Sequence, residues 1–332
     1  MADNTHLNLR AGDWLEVKSP LEIAQTLDAE GTLDGLPFMP EMLEHCGRRY
    51  RLLRRAEKTC LEGSDSLYTS REFHNNDVVL LDQLRCSGAN HDGCQRLCMM
   101  FWKLAWLRKV DGDSSRVEPE LQNAQVLRRK LKTTNSPGQY FCQSTQLGKA
   151  TAPNKRSTIF MKAYRDVRSG AVSASDMAKL IVVPLFRKIR DGLVGRPKLL
   201  GTLTRTPVGS LGLQPGDIVQ VKTLEEMRAT LDRKGRNRGL ICDLELKRFC
   251  GMKYRVKSRL DRMISEATGQ MRKVEGTVIL DGNTCLCAWT VAGCPRLEYC
   301  YWREAWLKKA DPEVRETKTC EPEKREAGAL SN

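Results

Sequence analysis

The chain has 332 residues, of which 40% are hydrophobic and 29% charged, with a net charge of +14 and thirteen cysteines. That length exceeds one small core and predicts two or three domains. Apolar runs such as 180–186 fall far short of the roughly 20 residues that span a bilayer. The first ten residues contain no apolar stretch of signal-peptide length, so the expected compartment is the cytoplasm, with no membrane partner. There, clustered cysteines bind metal or do redox chemistry more readily than they form disulfides. The surplus of positive charge implies attraction to polyanions, nucleic acid among them.

In chain order, Gly12-Asp13 followed by alternating Leu15 and Val17 predicts a turn and a half-buried strand. Leu21, Ile23, Ala24 and Leu27 take helical spacing after a Ser19-Pro20 start. Gly31 and Gly35 punctuate a loop. Met39 to His45 predicts a short helical turn that stops at Gly47. Tyr50 and Leu52 begin the next strand, which is densely basic. On a regular strand Arg49, Arg51 and Arg55 share one face and could track phosphates, although a solvated strand face reads the same way. Residues 78–81 make another strand.

Cys60, Cys86, Cys94 and Cys98, with His91 inside the same stretch, are the candidate metal ligands. Asp92 precedes an apolar run through Met99, Phe101, Trp102 and Trp106, which predicts a helix capped by Asp92. Cys94 then falls in its first turn and Cys98 one turn later on the same face. A helix N-terminus favours thiolate over thiol, the form a metal requires. Four thiolates suit zinc, at about 2.3 Å per bond, or an iron–sulfur cluster. The spacing matches no standard zinc ribbon, and the bland alternative is a set of core thiols. The tryptophans, at i and i+4, read as core rather than as a base-stacking platform.

Residues 111–213 change in composition. Polar clusters near Asp111 to Ser115 and Thr133 to Pro137 predict linkers. Helices are expected from about Ser157 to Gly170, and after Ser175-Asp176 toward Asp191-Gly192. Cys142 could serve as a nucleophile, but four histidines in the chain leave few bases for it. The pattern of the first hundred residues then returns. Gly216-Asp217 matches Gly12-Asp13, Thr230-Leu231-Asp232 matches Thr26-Leu27-Asp28, and Cys250-Gly251 matches Cys46-Gly47, all at an offset of 204. Trp302 and Trp306 match Trp102 and Trp106 at an offset of 200. The second copy has Ile264 for Cys60, Val291 for His91 and Glu298 for Cys98, so only Cys294 keeps strict register. Cys285, Cys287 and Cys300 lie nearby and are not expected to rebuild a site.

The order of turn, strand, loop, helical turn and strand resembles a small SH3-like barrel of the KOW or nitrile-hydratase-β type. The segments 35–42, 55–60 and 91–94 resemble an uncharacterised bacterial family with the same duplicated layout, to which no activity attaches. The expected architecture is α+β: SH3-like modules at 12–110 and 214–310, each ending in a Trp-rich helix, a helical connector at 111–213, and a disordered charged tail at 311–332. The expected function is a metal-stabilised protein, zinc or iron–sulfur, that binds nucleic acid or another protein. The alternative is a thiolate-metal or iron–sulfur enzyme in a bacterial biosynthetic pathway.

Overall fold

The computed structural model describes residues 9–56, 58–62, 68–112, 123–194, 198–285, 293 and 295–310. His6, Cys287, Val291, Cys294 and the charged tail lie outside these residues. The chain forms two compact units. One comprises Met1–Pro197 with Arg262–Val274 and Cys285–Glu298, and the other Lys198–Asp261 with Glu275–Thr284 and Tyr299–Asn332. The expected connector thus shares a unit with the first copy only as far as Pro197, its remainder falling in the other unit, and two segments of the second copy lie with the first.

In the first unit, β1 (Trp14–Val17) buries Leu15 and Val17. It leads into α1 (Pro20–Thr26), where Ser19 and Glu22 form a reciprocal capping box and proline occupies the first turn. A 3₁₀ turn over Pro40–His45 follows. Gly47, at φ 76°, returns the chain so that its N–H donates to Val17 O at 2.8 Å. Next come β2 (Arg49–Arg55), β3 (Lys58–Glu62), β4 (Tyr68–Phe73), β5 (Val78–Arg85), β6 (Met99–Lys103) and β7 (Leu107–Lys109). An antiparallel five-stranded sheet runs in the order β6-β5-β2-β1-β7, and β3 and β4 join β8 (Thr151–Pro153) in a smaller sheet. The unit's longer helices are α2 (Gln143–Ala150), α3 (Ile159–Arg168) and α4 (Ala174–Val194).

The second unit repeats the plan. Its elements are β9 (Ile218–Val221), α5 (Leu224–Arg228), β10 (Lys253–Arg259), β13 (Thr277–Thr284), β14 (Tyr299–Arg303) and β15 (Leu307–Lys309). The hairpin β11 (Arg262–Ile264) and β12 (Met271–Lys273) belongs to the first unit. The sheet order is β14-β13-β10-β9-β15. Register confirms the duplication: Trp14 opposes Arg51 as Ile218 opposes Arg255, and Leu15 opposes Lys109 as Val219 opposes Lys309. Trp106 Nε1 donates to Thr26 Oγ1 at 3.1 Å, and Trp306 Nε1 to Thr230 Oγ1 at 3.0 Å.

The Trp-rich helices expected at the end of each copy are absent from these positions. Trp102 lies in strand β6 and Trp106 in a single 3₁₀ turn, Leu104–Trp106; Trp302 and Trp306 lie in β14 and the turn Glu304–Trp306. All five residues of β6 are buried. A strand covered on both faces loses the alternation that would separate it from a helix. The four indoles are wholly buried, as core residues.

Candidate metal centre

The loop between β5 and β6 carries three of the four predicted thiols, Cys86, Cys94 and Cys98, and its backbone sets how each is presented. Cys86 N–H donates to Cys98 O at 2.8 Å, which closes the base of the loop. Gly88 turns the chain at φ 70°, and its carbonyl accepts from His91 N at 2.9 Å and Gly93 N at 3.0 Å. A Cβ at Gly88 would stand 1.9 Å from Cys94 O, so only glycine lets the two strands of the loop approach. Leu97, at φ 53°, then turns Cys98 into β6. Cys94 and Cys98 are therefore presented by a folded-back loop, and the helix expected to align them does not form.

The loop and the start of α2 enclose a cavity of about 30 Å³ lined by Cys86, Cys94, Cys98, Cys142 and His91. Its remaining wall includes apolar Met39, Phe101 and Ile264 and two guanidinium side chains, Arg96 and Arg296. Burial pushes the Cys98 thiol up to about 12 and raises Cys86 and Cys142 as well. These are neutral, unreactive thiols unless a cation displaces their protons. The backbone N–H of Ile264 donates to Cys94 Sγ at 3.4 Å.

No family model, curated protein or solved structure matches this chain. The site is therefore read from its own geometry. Three of the four predicted thiols and His91 line the one cavity. Cys60 does not line it. Cys60 is buried on β3, and its carbonyl accepts from Arg296 Nη1 at 2.9 Å. Cys142 takes a place at the cavity that sequence spacing never suggested, because the fold alone brings α2 to the loop.

His91 is almost fully enclosed. Nδ1 stands 2.6 Å from Glu41 Oε1 and Nε2 3.0 Å from Phe141 O. The Phe141 carbonyl can only accept, so Nε2 carries a proton, and Nδ1 shares one with the Glu41 carboxyl. Burial lowers the His91 pKa, but the Glu41 carboxylate and the Phe141 carbonyl outweigh it and leave the pKa above its ordinary value. Glu41 Oε2 is buried without a hydrogen-bond partner among the described residues. Glu41, Cys86 and His91 place one ligand atom each within 4.8 Å of one another and could hold a metal ion.

Behind the cavity lies a buried ionic cluster with a two-fold character. Arg96 Nη1 donates to Ile264 O at 3.2 Å as Arg296 Nη1 donates to Cys60 O, each arginine reaching a carbonyl in the opposite copy. Both arginines pair with Glu298, Arg96 through Nε at 3.1 Å and Arg296 through Nε at 2.8 Å. Arg296 Nη2 also meets Glu266 Oε2 at 2.6 Å, and Ser144 Oγ donates to that same oxygen at 3.0 Å. Burial raises the Glu298 carboxyl, but Arg296 and Arg96 hold it down at about 2. Glu298 occupies the register of Cys98, so the second copy supplies a clamped carboxylate where the first has a ligand candidate.

The basic strand does not present its three arginines together. Arg49 pairs with Glu16 at 3.1 Å, and Arg51 is exposed with its guanidinium 4.8 Å from the centroid of the Trp14 ring. Arg55 is buried and donates to Asn76 O. The cause is a register shift between Leu52 and Arg54 against β5, which breaks the alternation the sequence implied.

Proposed function

We propose that the chain is a metal-stabilised, non-enzymatic binding protein of two SH3-like modules, with a zinc or iron–sulfur centre bracing the first unit and another protein as its partner. The observation that carries this reading is the buried group of Glu41, Cys86 and His91, whose ligand atoms lie within 4.8 Å of one another, beside a largely apolar cavity lined by four thiols. The strand order and the 3₁₀ turn before the last strand in each copy support the SH3-like identity, as does the resemblance to a duplicated bacterial family. Catalysis is disfavoured because burial raises Cys86, Cys98 and Cys142 above the ordinary thiol range and both nitrogens of the nearest histidine are already engaged.

A protein partner is favoured by α3 and α4. Ala163 and Met177 pack between them, while Phe160, Tyr164, Phe186, Ile189 and Leu193 are between 62% and 81% exposed. Exposed apolar side chains carried by two packed helices mark an interaction site. Arg187 and Lys188 share α4 with Phe186, Ile189 and Leu193, so the complementary surface is an acidic, amphipathic protein segment. Nucleic acid is the competing partner. A photo-crosslinking residue at position 186, in the full chain expressed in its native host, tests the choice. A discrete protein adduct that weakens with salt and disappears on Ile189→Glu supports the reading. A nuclease-sensitive adduct, an adduct between two copies of this chain, or no adduct overturns it.

A further inference from the structure

Building on the metal-stabilised reading, we infer that the centre is a single zinc ion held by Glu41, Cys86 and Nδ1 of His91, with a fourth position open to the cavity, and that it is not an iron–sulfur cluster. Among the described residues these three bring one ligand atom each within 4.8 Å of one another, from the Pro40–His45 turn and the β5–β6 loop. Around a tetrahedral zinc, bonds of about 2.0–2.3 Å set ligand atoms about 3–4 Å apart, so small side-chain movements suffice to close the shell. The histidine is oriented for the task. Its Nε2 donates to Phe141 O at 3.0 Å, which leaves Nδ1 as the nitrogen aimed at Glu41, 2.6 Å from Oε1. A zinc-binding histidine characteristically gives its other N–H to a carbonyl or carboxylate in this way. The glutamate supplies a second, independent sign. Glu41 is 4% exposed and its Oε2 has no hydrogen-bond partner among the described residues, while Oε1 accepts from the Asn90 N–H at 3.1 Å. A buried carboxylate oxygen in that state is costly, and a cation is the partner it lacks.

Charge and ligand type choose the ion. One carboxylate, one thiolate and a neutral imidazole around a divalent cation sum to zero, which a buried site tolerates where a residual charge would be expensive. On binding, the ion takes the place of the proton between Nδ1 and Glu41 and displaces the proton of the Cys86 thiol, so neither member of the buried pair is stranded. A set of oxygen, nitrogen and sulfur suits zinc, whereas an iron–sulfur cluster needs several thiolates, with histidine replacing some of them in one class. Only one thiol belongs to this group. The guanidinium groups of Arg96 and Arg296 are taken up by Glu266 and Glu298, so the centre is built without them. Cys86 and His91 also line the cavity of about 30 Å³. That exceeds the roughly 10–15 Å³ one water needs, so the fourth ligand is a solvent molecule on that side. The second copy does not repeat the set. Cys285 N–H donates to Glu298 O as Cys86 N–H donates to Cys98 O, so Cys285 stands for Cys86. Glu245 stands for Glu41 at the offset of 204, but Val291 replaces His91. One ion per chain is the expected content.

The test applies elemental analysis and X-ray absorption at the metal edge to the full-length protein, purified anaerobically without chelator. One zinc per chain is expected, with one sulfur at about 2.3 Å and nitrogen or oxygen neighbours at about 2.0–2.2 Å. A shell of sulfur alone, or iron with iron–iron scattering, overturns the assignment while the metal-stabilised reading stands. Absence of metal from the purified chain, and from the same chain titrated with zinc, removes that reading and the assignment with it. Competition with a chelator then separates the ligands from their neighbours. Glu41→Gln keeps the side-chain shape and an acceptor for the Asn90 N–H. It should weaken zinc binding more than about 100-fold, beyond what loss of a supporting residue costs, whereas Cys142→Ser should weaken it less than about 10-fold. The reverse ranking overturns the assignment. Where either variant folds poorly, the absorption spectrum of the unmodified chain decides alone.

Discussion

Gly88→Ala probes the loop that assembles the thiols, and the structure sets its cost. Gly88 sits at φ 70°, where a β-carbon alone costs about 1–2 kcal/mol. The new methyl would also stand 1.9 Å from Cys94 O and 2.9 Å from Cys94 N, both backbone atoms that no rotamer change can move aside. Relieving that overlap means displacing Cys94 itself. Gly93 provides the control: it has nearly the same φ, 69°, but the nearest atom to an added Cβ is Arg262 Cδ at 4.0 Å. Gly93→Ala should therefore show the conformational cost only. Gly88→Ala should cost about 2–4 kcal/mol in total, the excess coming from the clash. Native-state hydrogen exchange across residues 84–104 reads the local loss without assuming that the two units unfold together. Metal content read on the same samples should fall in Gly88→Ala alone. Equal effects of the two variants would refute the steric argument and the packed loop it describes.

Lys103 Nζ is buried between Asp34 Oδ2 at 2.7 Å and Asp77 Oδ1 at 2.9 Å. Removing both anions with the double change Asp34→Asn and Asp77→Asn should therefore cost about 3–5 kcal/mol, whereas Lys103→Met should be near neutral; chemical denaturation of the two variants checks that order. At Glu72, burial raises the carboxyl but bonding to Lys162 and Lys155 outweighs it, so its folded pKa lies below the ordinary 4.5. The lowered folded value means the stabilisation is complete above the ordinary pKa and is lost as pH falls through the folded one. Glu72→Gln should thus be less stable than the unmodified chain at pH 7 and equal to it at the acid limit, with melting temperature against pH as the readout.

The parts of the fold set by local chemistry were legible in the sequence. The Ser19–Glu22 box, the turn ending at Gly47 and the repeat register from Gly12 to Arg255 all follow from neighbours in the chain. Features that depend on contacts made at a distance were not. The Met99–Lys103 run is apolar on both faces, so its period says nothing. The shift near Leu53 is a property of pairing with β5, yet it turns Arg55 from the surface into the core. Of the site, Cys86, His91, Cys94 and Cys98 were found because they crowd one short stretch. Cys142 and Glu41 were missed as parts of it because only the folded chain brings α2 and the Pro40–His45 turn to that loop. Cys142 had drawn notice for its own reactivity, a signal pointing at a different chemistry.

Where both loops are described, the two copies share backbone geometry while dividing its chemistry. Leu97 and Leu297 are both left-handed, as are Gly93 and Gly293, and Arg96 and Arg296 make matching bonds to opposite carbonyls. What differs is the side chain before the last long strand, a thiol at Cys98 and a carboxylate at Glu298. The carboxylate draws in both arginines and so fixes the wall of the thiol cavity. This predicts that the cluster is worth most as a unit. Arg296→Met strips one cation from Glu266 and Glu298, whose side chains are 0% and 15% exposed, and should cost about 3–5 kcal/mol. Adding Glu298→Gln to Arg296→Met removes the stranded charge and should recover part of that loss, giving a coupling energy of about 1–3 kcal/mol in a double-mutant cycle. Additive losses would mean that the carboxylate and the guanidinium contribute independently. In that case the second copy would act as filler rather than as the wall that holds Cys94 and Cys98 in place.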